Sequence, residues 1–480
     1  MNEVEKRSTP NSKVGKQSEQ KGSAKSSATS AEDLRGAPSE GSSALWGWGR
    51  VPSPGREVSG ENLETLSQDV AISRGLGRSY GDSSLPPADA PVALNTTLAD
   101  RILSFDESSG VMRAEAGLSL LTLNRLFLHQ GWFTPVSPGT QFVTLGGMVA
   151  ADVHGKNHHV DGCFGAHVSA LKMRVADGRI VECSPTQHED LFRATLGGMG
   201  LTGHILEVEF RMKRIPSSWI YGETERVDNI DQFQEALERA AKKWPYTVGW
   251  IDCISRGSKM GRGILMCGRW AEANEAPKRE PFELPRPTVP FEFPSWVLGP
   301  WTVKAFNFLY YWKHLPRRKQ GIVSPYTFFY PLDIAHEWNR MYGPRGFTQY
   351  QCVLPREAGP KSARRVLDLL TRLGGASFLC VIKDCGPEGI GTLSFPKPGI
   401  SIALDIPVRD NTQAIIDALN EKVIEEGGRI YLAKDTFTRP EHFRQMEGPR
   451  LEAFQAIRRK WDPELRLRSA QSVRIFGDGS

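Results

Sequence analysis

Apolar positions recur with two different periods along this chain, and each change of period marks a new element. From Ile102 to Glu115 apolar and polar residues alternate around a turn at 107–110, which predicts two strands. Ser119 to Gln130 instead places Leu120, Leu123, Leu126 and Phe127 at helical spacing, a helix with one apolar face. Residues 168–175 lead into Asp177-Gly178 and an apolar return through Cys183, a hairpin signal. Glu189 to Leu196 reads as a helix, and Ile205, Val208, Phe210 and Met212 as a strand. Beyond Ile215-Pro216 the loops lengthen. Strands are predicted at 247–254, 346–354 and 400–407, with helices at 229–243, 357–373 and 411–426. That mixture predicts a second α+β unit built on an antiparallel sheet. From Gly428 a short strand ends at Lys434, and a polar helix and the basic run 457–463 follow.

Two stretches obey neither period. In 71–82 a short apolar strand enters a loop spaced by Gly75, Gly77 and Gly81 and carrying Arg74, Arg78, Ser79, Tyr80 and Asp82. In 138–159 a Pro138-Gly139 turn precedes Gly146-Gly147, small residues, and a polar cluster of Asp152, His154, Lys156, Asn157, His158 and His159. Glycine permits close backbone approach to a large ligand, so these compositions suit a cofactor better than a core. A nicotinamide site does not fit. The first loop is one residue longer than the dinucleotide fingerprint, and Gly198-x-Gly200-x-x-Gly203 has a helix before it and a strand after it, the reverse of the required order. No metal site is expected, because the three histidines lack an identifiable fourth ligand.

Composition narrows the classes. A chain of 480 residues with formal charge +5 and 24% charged residues is an ordinary globular protein, too weakly basic for free nucleic-acid binding. Seven scattered cysteines without a C-x-x-C pair suit a reducing compartment, and a cytoplasmic location is expected. Residues 1–43 are polar and low in apolar content, a disordered tail by composition. Residues 276–320 combine prolines, aromatics including Trp296, Trp301 and Trp312, and an excess of Lys and Arg. They read either as a flexible loop contacting anionic lipid or as a loop packing on its own domain.

Taken together, Arg74–Asp82, Pro138–Thr140, Leu145–Gly147, Asp152–His159, Gly200–Gly203, Glu337–Arg340, Tyr342–Pro344, Gln349–Gln351 and Ala433–Asp435 resemble the decaprenylphosphoryl-β-D-ribose 2-oxidase family, flavoenzymes of the vanillyl-alcohol-oxidase superfamily. The resemblance implies an α+β fold. An FAD-binding domain of two subdomains, 44–217 with a return at 428–475, would flank a substrate domain at 218–427 with an antiparallel sheet. It places FAD against Arg74, Gly75, Leu76, Gly77, Arg78, Ser79, Tyr80, Gly81 and Asp82, then Gly139, Thr144, Leu145, Gly146 and Gly147. Ala151, Asp152, Val153, His154, Ile205 and Tyr431 complete that cofactor list. Arg78 stands where many relatives carry a tethering histidine, so FAD is expected to be non-covalent.

The implied chemistry is oxidation of a secondary hydroxyl, the 2-OH of a polyprenylphosphoryl pentose, by hydride transfer to FAD. An NAD(P)-dependent short-chain reductase partner would complete an epimerisation. Lys434 is the expected catalytic cation and Tyr80 its neighbour. Lys156, Trp250, Phe329, Gln349, Gln351, Lys383, Ser401 and Ala403 match positions lining the substrate pocket. Three of these depart from the family: Ala403 replaces a cysteine, Ser401 an asparagine and Phe329 a tyrosine. Two alternatives stay open: an oxidase of a soluble sugar, alditol or aldonolactone, and a non-catalytic flavin-fold scaffold, against which Lys434 and Tyr80 argue. Peripheral contact with the inner face of the plasma membrane is a further expectation.

Overall fold

Strand pairing divides the chain into sheets of different character. The computed structural model describes residues 44–294, 297–374 and 377–479, so the expected tail and Trp296 lie outside the described residues. A parallel sheet orders Arg56–Ser59 (β1), Val92–Asn95 (β3) and Ile72–Arg74 (β2), with β3 central. An antiparallel sheet of five strands follows, made of Ile102–Asp106 (β4), Val111–Glu115 (β5), Val168–Arg174 (β6), Ile180–Cys183 (β7) and His204–Arg211 (β8) in the order β7-β6-β8-β5-β4. The two expected strand pairs, β4/β5 and β6/β7, are both present, the second closing at Ile180↔Arg174 around the Asp-Gly turn. Inward positions Met112, Ala114, Leu171, Met173, Val208 and Phe210 are buried, while the outward Arg113 pairs with Glu182 and Glu207 at 2.5 and 2.6 Å. Against this sheet packs Leu120–Phe127 (α1), capped by Ser119, whose Oγ accepts from Thr122 N at 3.0 Å.

An eight-stranded antiparallel sheet holds most of the later chain. Its strands are Ile220–Val227 (β9), Tyr246–Ile251 (β10), Gly263–Trp270 (β11), Arg318–Val323 (β12), Phe347–Pro355 (β13), Cys380–Cys385 (β14), Gly399–Pro407 (β15) and Arg429–Ile430 (β16), ordered β12-β9-β11-β10-β14-β15-β13-β16. The helices Ile230–Ala241 (α2), Ser362–Arg372 (α3) and Thr412–Glu425 (α4) match the predicted positions with shorter ends. Both α2 and α4 pack against this sheet. Phe233 of α2 is fully buried over Gly249, where any side chain would collide with its ring. Truncating Phe233 would cost about 3–5 kcal/mol. Helices combined with mainly antiparallel sheets make this an α+β fold.

One expectation needs correction. Residues 276–320 are not a continuous loop: Pro300–Lys313 (α5) is a helix of 14 residues, and the edge strand β12 begins at Arg318. The helix was hidden because aromatic and aliphatic residues lie on all its sides, erasing the polar face that reveals periodicity.

Candidate active site

The first glycine loop leaves β2 and is held by backbone bonds. Trp48 N donates to Ser79 O at 2.8 Å, Gly49 N to Tyr80 O at 2.9 Å, and Tyr80 N to Ala433 O at 2.9 Å. The last bond ties this loop to the one bearing Lys434. Gly77 takes φ 63°, a conformation glycine adopts without strain. The charged ends at the two rims of the loop are already used within the protein. Arg74 donates to Glu57 at 2.7 Å, Ser84 Oγ at 3.1 Å and the Trp46 carbonyl at 2.8 Å. Asp82 accepts from Arg474 at 2.8 and 2.9 Å, and the same guanidinium reaches Asp435 at 2.9 Å. Arg74 and Asp82 therefore brace the loop, and Leu76 is buried beneath it. Arg78 is different. Its guanidinium lies 3.8 Å from the Trp48 ring centroid and 5.0 Å from that of Phe142, its buried Nε has no hydrogen-bond partner among the described residues, and burial pushes its pKa down to about 10.

The central stretch opens on the short helix Leu145–Ala150, capped by Thr144, whose Oγ1 accepts from Gly147 N at 3.3 Å. Leu145 N and Gly146 N are spent on the carbonyls of Leu118 and Ala116. Gly139 has nothing within 4 Å of where a side chain would stand, and at Gly147 only Thr144 Oγ1 lies near, at 3.2 Å. Both glycines border open space. At the far end the Ala151 carbonyl accepts from Tyr431 Oη at 2.8 Å. Asp152, at φ 38°, accepts from Gly165 N at 2.8 Å and from the Ser394 hydroxyl, while burial raises its pKa. Val153 and Ile205 are buried nearby in the same core.

Strand register gathers the expected substrate residues. Cross-strand rows run Trp250↔Val381↔Ala403↔Gln351 and Lys383↔Ser401, with Gln349↔Asp405 one step further along. Because alternate residues share a face, Gln349, Gln351, Ser401, Ala403, Asp405, Lys383 and Trp250 all stand on one side of the sheet. His154 arrives over that face. Lys383 Nζ donates to His154 Nδ1 at 2.7 Å and to the Gly155 carbonyl at 2.9 Å. The Gln351 amide nitrogen lies 3.1 Å from His154 Nε2 and 3.2 Å from Ser401 Oγ. Burial, then the Lys383 charge, hold the imidazole neutral by lowering its pKa. The other two histidines serve elsewhere: His158 Nδ1 meets Gly386 N at 3.0 Å and His159 Nε2 meets the Trp244 carbonyl at 2.9 Å.

Lys434 completes the cluster. Its ammonium sits 3.8 Å from the Tyr80 ring centroid. The Tyr80 hydroxyl accepts from Gln349 Nε2 at 3.4 Å, which also donates to Asp405 at 2.6 Å, while Tyr342 Oη donates to the other Asp405 oxygen at 2.7 Å. Burial lowers Lys434 and Lys156 to about 7 and lowers Lys383 as well; it raises Asp405 to about 6. Among the described residues, none of these three lysines makes a salt bridge to a carboxylate. A buried ammonium without a counter-charge is costly, so this arrangement is built for anionic ligands.

Two expected positions contribute differently. The Phe329 ring faces away, packing on Phe133, Tyr246 and Trp270, and only its carbonyl serves the site by accepting from Lys156 Nζ at 2.8 Å. Trp250 lies at the margin, donating to the Phe378 carbonyl at 2.9 Å with its ring edge-on to Tyr310. Four contributors were missed: Asp405, Tyr342, Arg474, and Phe395, which stacks on Tyr431 at 4.8 Å. Asp405 was detectable, since it follows Ser401 and Ala403 by strict alternation.

Open glycines beside a small-residue loop, and buried cations lacking carboxylates, fit a large anionic cofactor. Residues 68–184 match the FAD binding domain family. The protein is an FAD-dependent oxidoreductase. It is 34% identical over 439 residues, 88% of this chain and 94% of the relative, to the decaprenylphosphoryl-β-D-ribose oxidase of Mycolicibacterium smegmatis. It is also 32% identical to an uncharacterised protein of Streptomyces coelicolor, over 72% of this chain and 96% of the other. A shorter match, 30% identity across 23% of this chain and 22% of the relative, links it to the Δ(24)-sterol reductase of Rattus norvegicus. The chain belongs to the decaprenylphosphoryl-β-D-ribose oxidase family.

Proposed function

We propose that this enzyme oxidises the 2-hydroxyl of a polyprenylphosphoryl pentose to a keto sugar. The observation that carries the reading is the convergence of buried Lys156, Lys383 and Lys434 on one sheet face, none of them in a salt bridge to a carboxylate among the described residues. Such a receptor suits a phosphorylated sugar beside an anionic cofactor. FAD, when bound, supplies the two-electron acceptor.

The backbone of Gly75 to Gly81, with Gly139, Thr144 and Gly147, would hold FAD, together with Ala151 to His154 and Tyr431. Arg78 in place of a histidine keeps that attachment non-covalent, so denaturation should release the flavin into the supernatant. Lys156 and Lys383 bind the phosphate. Neutral His154 orients Lys383 by accepting its proton-bearing end, and Gln351 with Ser401 flanks the ring. Lys434, protonated below about 7, places positive charge where negative charge develops, a role that strengthens in a dry site. Asp405 raises the Lys434 pKa and, through Gln349 and Tyr342, fixes the surrounding hydroxyls. In this reading FAD is held by 44–217 with the return at 428–475, and the sugar by 218–427. An NAD(P)-dependent reductase would consume the keto product and complete the epimerisation.

The test is anaerobic mixing of holoenzyme with polyprenylphosphoryl pentose, and separately with free pentose, alditol and aldonolactone. Bleaching of the flavin by the lipid-linked sugar is expected. Bleaching by free alditols or lactones alone would overturn the assignment.

A further inference from the structure

Helix α5 turns an apolar side to solvent. Its inward residues are anchored: Asn307 donates to Asp252 at 2.8 Å, and Tyr311 Oη donates to Asp228 at 2.9 Å. Phe306 and Tyr310 pack on Phe378 and Trp250, with centroid separations of 5.7 and 4.6 Å. On the opposite side Trp301, Phe308, Leu309 and Trp312, spaced i, i+7, i+8 and i+11, form one stripe exposed by 82%, 53%, 67% and 43%. Leu315 extends it at 63%. A surface helix ordinarily turns charged residues outward and apolar ones inward.

Along the segment that carries this stripe the charge is of one sign. No Asp or Glu occurs from 293 to 332, while Lys304, Lys313, Arg317, Arg318 and Lys319 do. Arg317 and Arg318 are bridged to Asp228 and Glu225. Lys304, Lys313 and Lys319 are exposed, and no salt bridge to any of them is found among the described residues. Exposed tryptophans at both ends of an apolar stripe, bordered by lysines, match the interfacial zone of a bilayer. A second copy of this chain would instead bring like charges face to face. The inner side of the same helix reaches Trp250, which shares its cross-strand row with Ala403 and Gln351.

We propose that α5 seats the protein on an anionic lipid bilayer, its apolar stripe among the acyl chains and its lysines at the headgroups. The polyprenyl tail then stays in the lipid while the sugar phosphate reaches the lysines, a consequence that rests on the substrate reading above. The seating itself does not.

Sedimentation with vesicles of phosphatidylglycerol and phosphatidylcholine, against phosphatidylcholine alone, tests it on holoenzyme. Wild type should partition to the anionic vesicles. The exposed triple variant Trp301→Ser, Leu309→Ser, Trp312→Ser should lose at least about tenfold in partitioning, and Lys304→Glu with Lys313→Glu should lose the preference for anionic lipid. FAD content should stay unchanged in both variants, and so should oxidation of substrate dispersed in detergent. Equal binding by the triple variant, no vesicle binding by wild type, or a dimer in solution that the stripe variant abolishes would each overturn the proposal. Vesicle binding without oxidation of lipid-linked sugar would sink the substrate reading and leave this one standing.

Discussion

Lys434 offers a prediction in which stability and activity move in opposite directions. Burial takes its pKa from 10.5 to about 7, with Asp405 the opposing influence. That shift corresponds to a cost on the order of 5 kcal/mol for keeping the ammonium charged in the folded protein at low pH. The sign follows from proton counting. Between about 7 and 10.5 the unfolded chain binds a proton at this lysine and the folded chain does not, so stability rises with pH across that window. Below it, the full cost is present. Lys434→Met keeps the length and removes the charge, so it should stabilise the fold at pH 7 by about 1–4 kcal/mol. It should also reduce flavin reduction by substrate at least about a hundredfold, the scale of losing one charge-stabilising group. Denaturant unfolding of both proteins at equal FAD, at pH 7 and at pH 9.5, reads the stability. The variant should lack one lysine's share of the pH slope, about 1.4 kcal/mol per unit. A variant no more stable than wild type, with the same slope, would refute the burial argument. Undiminished flavin reduction would refute the assignment of the charge to catalysis.

Three further outcomes follow from the same geometry. Asp405→Asn removes the charge that raises Lys434, so the alkaline fall in activity should begin at lower pH, by roughly half a unit or more in a pH-rate profile. Arg474→Met leaves the half-buried Asp82 and the buried Asp435 facing each other without their shared cation, and should cost about 2–4 kcal/mol in denaturant unfolding. Lys383→Met should raise KM for a phosphorylated substrate far more than it lowers kcat, with flavin content intact by absorbance; an unchanged KM would remove Lys383 from phosphate binding.

How much of this was readable beforehand follows from the reach of each interaction. Elements with one buried face, such as β4/β5, β6/β7 and α1, declare themselves through spacing alone, because burial on one side repeats every two or 3.6 residues. Helix α5 did not, since its outward stripe is as apolar as its packed side. The glycine loops were recognisable by residue type, yet Arg74 and Asp82 had been given to the cofactor. Glu57 and Arg474, which occupy those charges, lie 17 and 392 positions away in the chain. No local pattern reveals a partner at such distance. Asp405 shows the converse case: its place on the site face follows from Ser401 and Ala403 by alternation, but motif matching stops at the matched residues.

The lysines bring these two kinds of information together. Their identities and their family positions were evident from the chain, whereas their lack of salt bridges to carboxylates, among the described residues, is a property of the fold. A lysine at a strand end is usually solvated and unremarkable. Three of them drawn under one sheet face, with His154 held neutral between Gln351 and Lys383, carry an unbalanced charge that folding alone gives no reason to keep. Stability would be better served by apolar residues at each position. That the positions are charged nonetheless is the strongest physical argument that the face exists to meet an anion, and Lys434→Met measures what that readiness costs the fold.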